Sequence, residues 1–264
     1  METKVSVIYC TCDNYSDLWD NFFTLFKKYW SDFDGEIVFN TESKDYSCSG
    51  LNIVFPKKVS QATSWSNRLY NSLQVCSYEN VMILLDDFYF KAPVKHEMFL
   101  ESLEVIEKDA KIVSISYQTQ PGTYKTYNNL KGFDYRRHFS LYTMSTSLTL
   151  YKREYLLSLL KEGENAWQFE INATFRSWLK RGIFLCKSEN AEDIFVCDGG
   201  RLVIRGRFER SVKRYFEEVE GLCFSSNRTV MEERTDVVKR KMNYCKILSY
   251  GYQALCSVFW KKPM

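Results

Sequence analysis

The chain is short of histidine, the residue from which many catalytic and metal sites are read. It has two histidines, His96 and His138, in 264 residues. No serine or cysteine therefore has an evident base, and nothing supports a nucleophilic triad. Nine cysteines form no CxxC pair, so a structural zinc site is not expected; Cys10 and Cys12 make only an isolated CxC. Four prolines and eleven glycines argue against long flexible linkers. No leader is expected either. METKVSVIYCTC breaks its short apolar run with Glu2 and Lys4 and reads as a buried strand, so the thiols are expected to be reduced and the chain cytoplasmic. Charge of one sign is not in excess either. There are 36 basic and 33 acidic side chains, for a net +3, too balanced for a dedicated nucleic-acid binder, and no nucleic-acid partner is expected.

What remains is globular. Hydrophobic residues make up 45% and charged residues 26%, which excludes a disordered or collagenous chain. Aromatics reach 16%, which suits a large core or a protein that stacks ligands on rings. The length fits one large domain, or one domain with an appendage.

Apolar periodicity predicts an alternating order. Lys4–Cys10 reads as a buried strand and Asp17–Trp30 as a helix with an aromatic stripe. Glu36–Asn40 and Asn52–Phe55 read as strands. Thr63–Cys76 is a helix with Trp65, Leu69 and Leu73 on one face and Ser64 or Thr63 as cap. Asn80–Leu85 is an apolar strand of the kind buried on both faces. Glu97–Lys108 follows as a helix and Lys111–Tyr117 as a strand. The order argues an α/β fold with a mainly parallel central sheet. Gln118–Asp134 reads as a long loop, His138–Tyr151 as a strand, and Arg153–Leu160 and Ala166–Lys180 as helices. Strands are expected near Ile183–Cys186, Asp193–Val196 and Arg201–Ile204, then an exposed helix over Arg207–Val219.

The character changes near the C-terminus. Val238, Met242, Cys245, Ser249, Tyr252, Cys256 and Phe259 share a helical stripe with basic flanks. The 14 residues between Lys246 and Lys261 are too few to cross a bilayer, which takes about 20. An in-plane membrane helix and a helix packed on the domain or a partner are both open. The expected division is 1–220 as the main domain and 221–264 as a helical extension, with a peripheral contact to the inner face of the cytoplasmic membrane.

Three stretches could carry chemistry. VMILLDD, residues 81–87, delivers Asp86 and Asp87 to the C-terminal end of a buried strand, where ligands of open α/β sheets bind. Two carboxylates there suit Mg²⁺ or Mn²⁺ bridging to phosphate oxygens; both are useful only if the strand ends there, since neighbouring side chains otherwise point apart. A polar turn is the alternative. In ENAWQFE, residues 164–170, Trp167 and Glu170 stand three apart on one helical face. They offer a sugar platform and a carboxylate base, or else simply a capped amphipathic helix with a buried tryptophan. In SWSNRL, residues 64–69, Arg68 can reach back to the sheet mouth and pair with phosphate through its planar fork, or lie on the surface. Thr11, Asp13 and Asn14 follow the first strand, where a nucleotide would lie.

Taken in order, KVSVIYCTCDNYSDLW, SWSNRLYNSL, ILLDDFYF and SLTLYKREYLLSLL to ENAWQFE make residues 4–200 resemble a GT-A-type glycosyltransferase, similar to small family-2-like enzymes of bacterial capsule and lipopolysaccharide synthesis. The resemblance implies a GT-A-like sheet and a nucleotide-sugar donor, UDP-linked by preference. It implies a saccharide or lipid-linked acceptor and inversion of the anomeric centre. Asp87, with Asp86, would hold a divalent cation on the donor diphosphate, and Thr11, Asp13 and Arg68 would line the nucleotide side. Glu170 would be the catalytic base, with Trp167 as its acceptor-binding neighbour. LLDD departs from the strict D-x-D of the family. A nucleotidyltransferase would need glycine and lysine in the Cys10–Tyr15 loop, which has neither. A glycoside hydrolase using Asp87 and Glu170 fits less well with a nucleotide-side loop. A noncatalytic sugar-binding or partner-binding component of a polysaccharide-assembly complex is the alternative from another class.

Overall fold

A computed structural model describes residues 3–199, 201–225 and 227–231; the stripe expected over Val238–Phe259 lies outside them. The first strand, β1 (Ser6–Cys10), is buried along its length, as are β2 (Glu36–Asn40) and all of β4 (Asn80–Leu85) except its last residue. Their side chains alternate between two cores. Val7, Tyr9, Ile37, Phe39, Met82 and Leu84 face one; Ile8, Cys10, Val38, Val81 and Ile83 face the other. Apolar residues on both faces of a strand require cover on both sides, and the helices divide accordingly. The first core takes α1 (Trp19–Tyr29) and α3 (His96–Lys108). The second takes α2 (Trp65–Val75), α4 (Arg153–Leu157) and α5 (Ala166–Trp178).

Nine strands form the central sheet in the order β3-β2-β1-β4-β8-β5-β9-β7-β6. Here β3 is Asn52–Val54, β5 Ile112–Ser116, β6 Thr123–Thr126, β7 Phe133–Arg136, β8 Thr149–Lys152 and β9 Ile183–Lys187. The pairings leave β8 and β7 running against the other seven, so the fold is α/β with a mainly parallel sheet flanked by helices. A small second sheet joins β10 (Val203–Ile204), β11 (Arg207–Glu209) and β12 (Val230–Met231), and α6 (Arg210–Glu218) follows β11.

Aromatic residues account for much of the first core. Phe22, Phe23, Phe26 and Trp30 from α1 and its end pack against Tyr9, Phe39, Phe90, Phe99 and Phe195. The aromatic excess is thus largely a packing feature. Trp30 Nε1 donates to His96 Nδ1 at 3.1 Å, which gives one histidine a structural role. The seven cysteines among the described residues are all free thiols.

Several expectations need correction. Gln118–Asp134 is not a plain loop, since it contributes β6 and the first half of β7, an antiparallel pair. All four β6 side chains are exposed, so no apolar alternation marked that strand. The strand expected over His138–Tyr151 is only Thr149–Lys152. The chain before it is held irregular by side chains: Arg136 donates to the carbonyls of Pro121, Leu141 and Tyr142. Asp193–Val196 forms no strand but runs beside residues 91–95, accepting from Lys91 and Lys95 N–H. The helix expected from Arg207 begins at Arg210, after β11. Of the extension expected over 221–264, residues 232–264 lie outside the described residues, and the first few pack on the main body. Leu222 joins the first core, Asn21 donates to the Cys223 carbonyl, and Phe224 stacks on Tyr89.

Candidate active site at the carboxyl edge of the sheet

Strands β1 and β4 are parallel neighbours with Cys10 opposite Leu85. Thr11 and Asp86 therefore emerge side by side. β4 ends at Leu85 and the chain turns at Asp86-Asp87, so both carboxyls leave the strand at its end. Thr11 Oγ1 donates to Asp86 Oδ2 at 2.6 Å and accepts from Trp19 Nε1 at 2.8 Å. Asp86 is only 9% exposed. Burial, and then the charge of Asp87, push its carboxyl up to about 8; burial pushes Asp87 up to about 6. Two adjacent acids, both resisting ionisation, leave a local demand for positive charge.

Arg68 does reach back to the sheet mouth. α2 begins at a Ser64 cap that accepts from Asn67 N–H, and the helix presents Arg68 to the first loop. Its Nη1 donates to the Thr11 carbonyl at 2.9 Å and pairs with Glu42 Oε1 at 2.8 Å. At 9% exposure it is not a surface arginine. Glu42, absent from the sequence reading, is its counter-ion and also accepts from Asp13 N–H. Asp13 faces the loop after β2. Burial raises its carboxyl, but donors on Ser43, Thr41 and Lys44 outweigh that and hold it well below the usual carboxylate range. Asp13 therefore organises the 41–44 loop.

Glu170 comes to the same edge by way of β8. Thr149 pairs with Ile83 on one side and Ser116 on the other, so residues 145–148 enter the sheet beside the end of β4. Glu170 Oε1 accepts from Thr146 N–H at 2.7 Å, Thr146 Oγ1 at 2.9 Å and Ser145 Oγ at 3.5 Å. Ser147 Oγ lies 3.0 Å from Ser145 Oγ and donates to Gln118 Oε1 at 2.8 Å. Leu148 has a φ of +30°, a left-handed backbone that costs on the order of 1–3 kcal/mol in a branched residue. It borders a cavity of about 320 Å³ that Tyr117, Gln118, Phe195 and Cys197 also line. Trp167, one turn before Glu170, is 77% exposed; the helix is capped by Asn165 and Gln168, but its tryptophan is not buried.

Three other groups are placed by the structure. Glu164 is fully buried and held by Asn172 and both terminal nitrogens of Arg176, so its carboxylate is engaged in structural bonds away from solvent. His138 donates from Nε2 to the Trp178 carbonyl at 3.0 Å, a structural bond. Arg228, far along the chain, pairs with Asp17, donates to the Asn14 carbonyl and lies 4.2 Å over the Tyr15 ring. Its charge acts on Asp86 in the lowering sense. No local pattern marks it, because its partners are over 200 residues away.

The acid pair predicts a pH effect on the metal-free protein. The folded pKa of Asp86 lies above the unfolded value of about 3.9, so the folded form binds the proton more tightly. Stability is full below about pH 4 and is lost as pH rises through about 8. Asp86→Asn, in chelator, is expected to unfold on the order of 2–4 kcal/mol harder than wild type at pH 8.5, with the difference closing towards pH 4. Melting curves at both pH values check this; a pH-independent difference would contradict it.

No protein-family model and no curated protein matches the sequence. Among solved structures, the chain is similar to residues 1–349 of TarS from S. aureus, with 14% identity, 72% of this chain and 59% of that one covered, and a TM-score of 0.44. It is similar to the glucosyl-3-phosphoglycerate synthase of Mycobacterium tuberculosis in complex with Mn²⁺ and UDP-glucose, with 11% identity, 68% and 66% covered, and a TM-score of 0.40. It is also similar to the mannosyltransferase PcManGT of Pyrobaculum calidifontis in complex with GDP-Man and Mn²⁺, with 14% identity, 78% and 59% covered, and a TM-score of 0.45. The chain spans less than two thirds of each of these, and the likeness is one of chain path alone.

Proposed function

We propose that the protein is a GT-A-type glycosyltransferase. It would move a sugar from a nucleoside diphosphate sugar, UDP-linked by preference, to a hydroxyl of a saccharide or lipid-linked acceptor in polysaccharide synthesis. The observation that carries this reading is the meeting, at one sheet edge, of the Asp86–Asp87 pair after β4 and the Glu170-held turn before β8.

Asp86 and Asp87 fit a divalent cation. Both carboxyls are raised by burial, and no group of three or more metal-ligating side chains occurs among the described residues. Mg²⁺ or Mn²⁺ needs only one or two carboxylates from a protein when substrate phosphate oxygens and water complete its shell, and it is the adjacent Asp86 and Asp87 at the strand end that support this reading. Asp87, the less buried of the two, is the ligand in this reading and Asp86 its neighbour, oriented by Thr11. The cation would neutralise charge on the leaving diphosphate. Glu170 takes the proton from the acceptor hydroxyl through the oxygen not committed to Thr146. With Glu170 as the base, displacement is direct and inverts the anomeric centre. Trp167 gives the acceptor ring a face to lie on.

Calorimetry with UDP tests the donor site. Wild type is expected to bind with Mn²⁺ and far more weakly in chelator, and Asp87→Ala to lose the metal-dependent part. Equal, metal-independent binding by both proteins would remove Asp87 as a ligand. Release of nucleotide from a panel of nucleotide sugars separates enzyme from binding component; no release with any donor and acceptor would favour the latter.

A further inference from the structure

The outer side of α5 carries an apolar stripe of which the proposed chemistry uses only Trp167, at its start. Trp167, Ile171, Phe175 and Trp178 recur at i, i+4, i+8 and i+11, one face of a helix. The first is exposed and the others half-buried. Past the helix end Leu179 is 72% exposed. The stripe continues into the loop before β8. Trp178 Nε1 donates to the Ser140 carbonyl, and the Phe139 ring meets Trp178 edge-on at 5.8 Å. From that loop Phe139, Leu141 and Tyr142 stand at least half exposed. Tyr124, on β6, lies beside them with the Arg137 guanidinium over its ring. Six of the eight large hydrophobic side chains exposed among the described residues are therefore gathered here. Clustering of this kind marks a contact surface rather than ordinary surface scatter.

Charge identifies the partner. Residues 135–149 and 171–188 contain no aspartate or glutamate, whereas Arg137, Lys180 and Arg181 are exposed at the rim. Away from Trp167, which has Glu170 one turn on, the aromatic and aliphatic tips are bordered by bases, an arrangement complementary to an anionic lipid surface. A second copy of this face would bring like charges together. A nucleic acid would find no use for Leu141 and Leu179. We infer that this face docks on an anionic bilayer, with Phe139, Leu141 and Leu179 entering the headgroup boundary and Arg137, Lys180 and Arg181 meeting lipid phosphates. The inference does not rest on the transferase reading.

The test is sedimentation of the full chain with vesicles of phosphatidylcholine and phosphatidylglycerol, and of phosphatidylcholine alone. Wild type is expected to bind the anionic vesicles in preference. Combining Phe139→Ser, Leu141→Ser and Leu179→Ser should weaken that binding roughly tenfold or more, as should Arg137→Gln with Lys180→Gln and Arg181→Gln. Melting temperatures near wild type would show that these exposed changes leave the fold intact. Residues 232–264 are present in every variant, so a contact made through them alone would leave binding unchanged and overturn the proposal. Failure of wild type to bind anionic vesicles would also overturn it. So would a wild-type dimer, in the absence of lipid, that the apolar triple variant dissociates, which would reassign the face to self-association.

Discussion

Glu170→Gln is expected to lower kcat by roughly 10²–10⁴-fold while leaving donor affinity and melting temperature close to wild type. The geometry makes this substitution unusually clean. All three hydrogen bonds to the Glu170 carboxylate arrive at Oε1, from Ser145 and Thr146. A glutamine amide can keep its oxygen there and still hold the turn. Its nitrogen then replaces the oxygen assigned to the acceptor proton, and an amide nitrogen cannot accept one. A purely structural Glu170 gives the opposite forecast: turnover is spared by glutamine and lost by alanine together with the turn. Steady-state rates and melting curves on both variants separate these cases, and glutamine activity within threefold of wild type would remove Glu170 as the base.

A larger effect on stability is expected at Arg176. Arg176 and Glu164 form a bidentate pair at 2.7 and 2.9 Å with 6% and 0% of their side chains exposed. Arg176→Met leaves a buried carboxylate without its counter-ion, a change that typically costs 3–5 kcal/mol. For a domain of this size that is roughly 6–20 °C in Tm. Adding Glu164→Leu should restore much of the loss, because an apolar pair of similar volume is often neutral in place of a buried ion pair. The effect should also reach the site. Glu164 N–H donates to Ser66 Oγ and its carbonyl accepts from Ser66 N–H, so the pair ties the start of α2, with Arg68, to α5, with Glu170. A single-variant cost below about 1 kcal/mol would show that Glu164 relaxes to water.

The parts of the fold that could be read in advance are those where one physical signal dominates. Asn80–Leu85 is apolar on both faces, and it is a central strand ending where the two aspartates begin. α1 and α2 show a stripe at helical spacing, and α2 carries its cap. The hairpin β6–β7 escaped because Thr123–Thr126 buries nothing, and hairpin formation there depends on β7 finding β9. The irregular run before β8 escaped because it is set by Arg136 and Glu170 from other elements. The site follows the same division. Asp86, Asp87, Thr11 and Arg68 converge because each lies within a few residues of a strand or helix end that could be located. Glu42 and Arg228 could not be found in that way: each matters through a partner brought to it by the sheet or the second core. Trp167 was legible as a member of a helical face but not as an exposed one, since amphipathic spacing alone does not say which face meets solvent.

Arg228 has a consequence for how the protein is made. The loop after β1 contains Asn14, Tyr15 and Asp17, all of which Arg228 engages from 211 or more residues downstream. β1, β2 and β4 can assemble as they leave the ribosome, since domains acquire structure from the N-terminus during synthesis. The loop nonetheless stays without its arginine clamp until β12 has been translated and has paired with β11. The nascent chain would therefore display a finished sheet and an unfinished mouth while residues 188–231 are being made. A product ending at residue 220 would keep the sheet strands and lose the clamp. The order of the chain thus separates two assembly steps, the sheet first and the closing of the loop after β1 by Arg228 second.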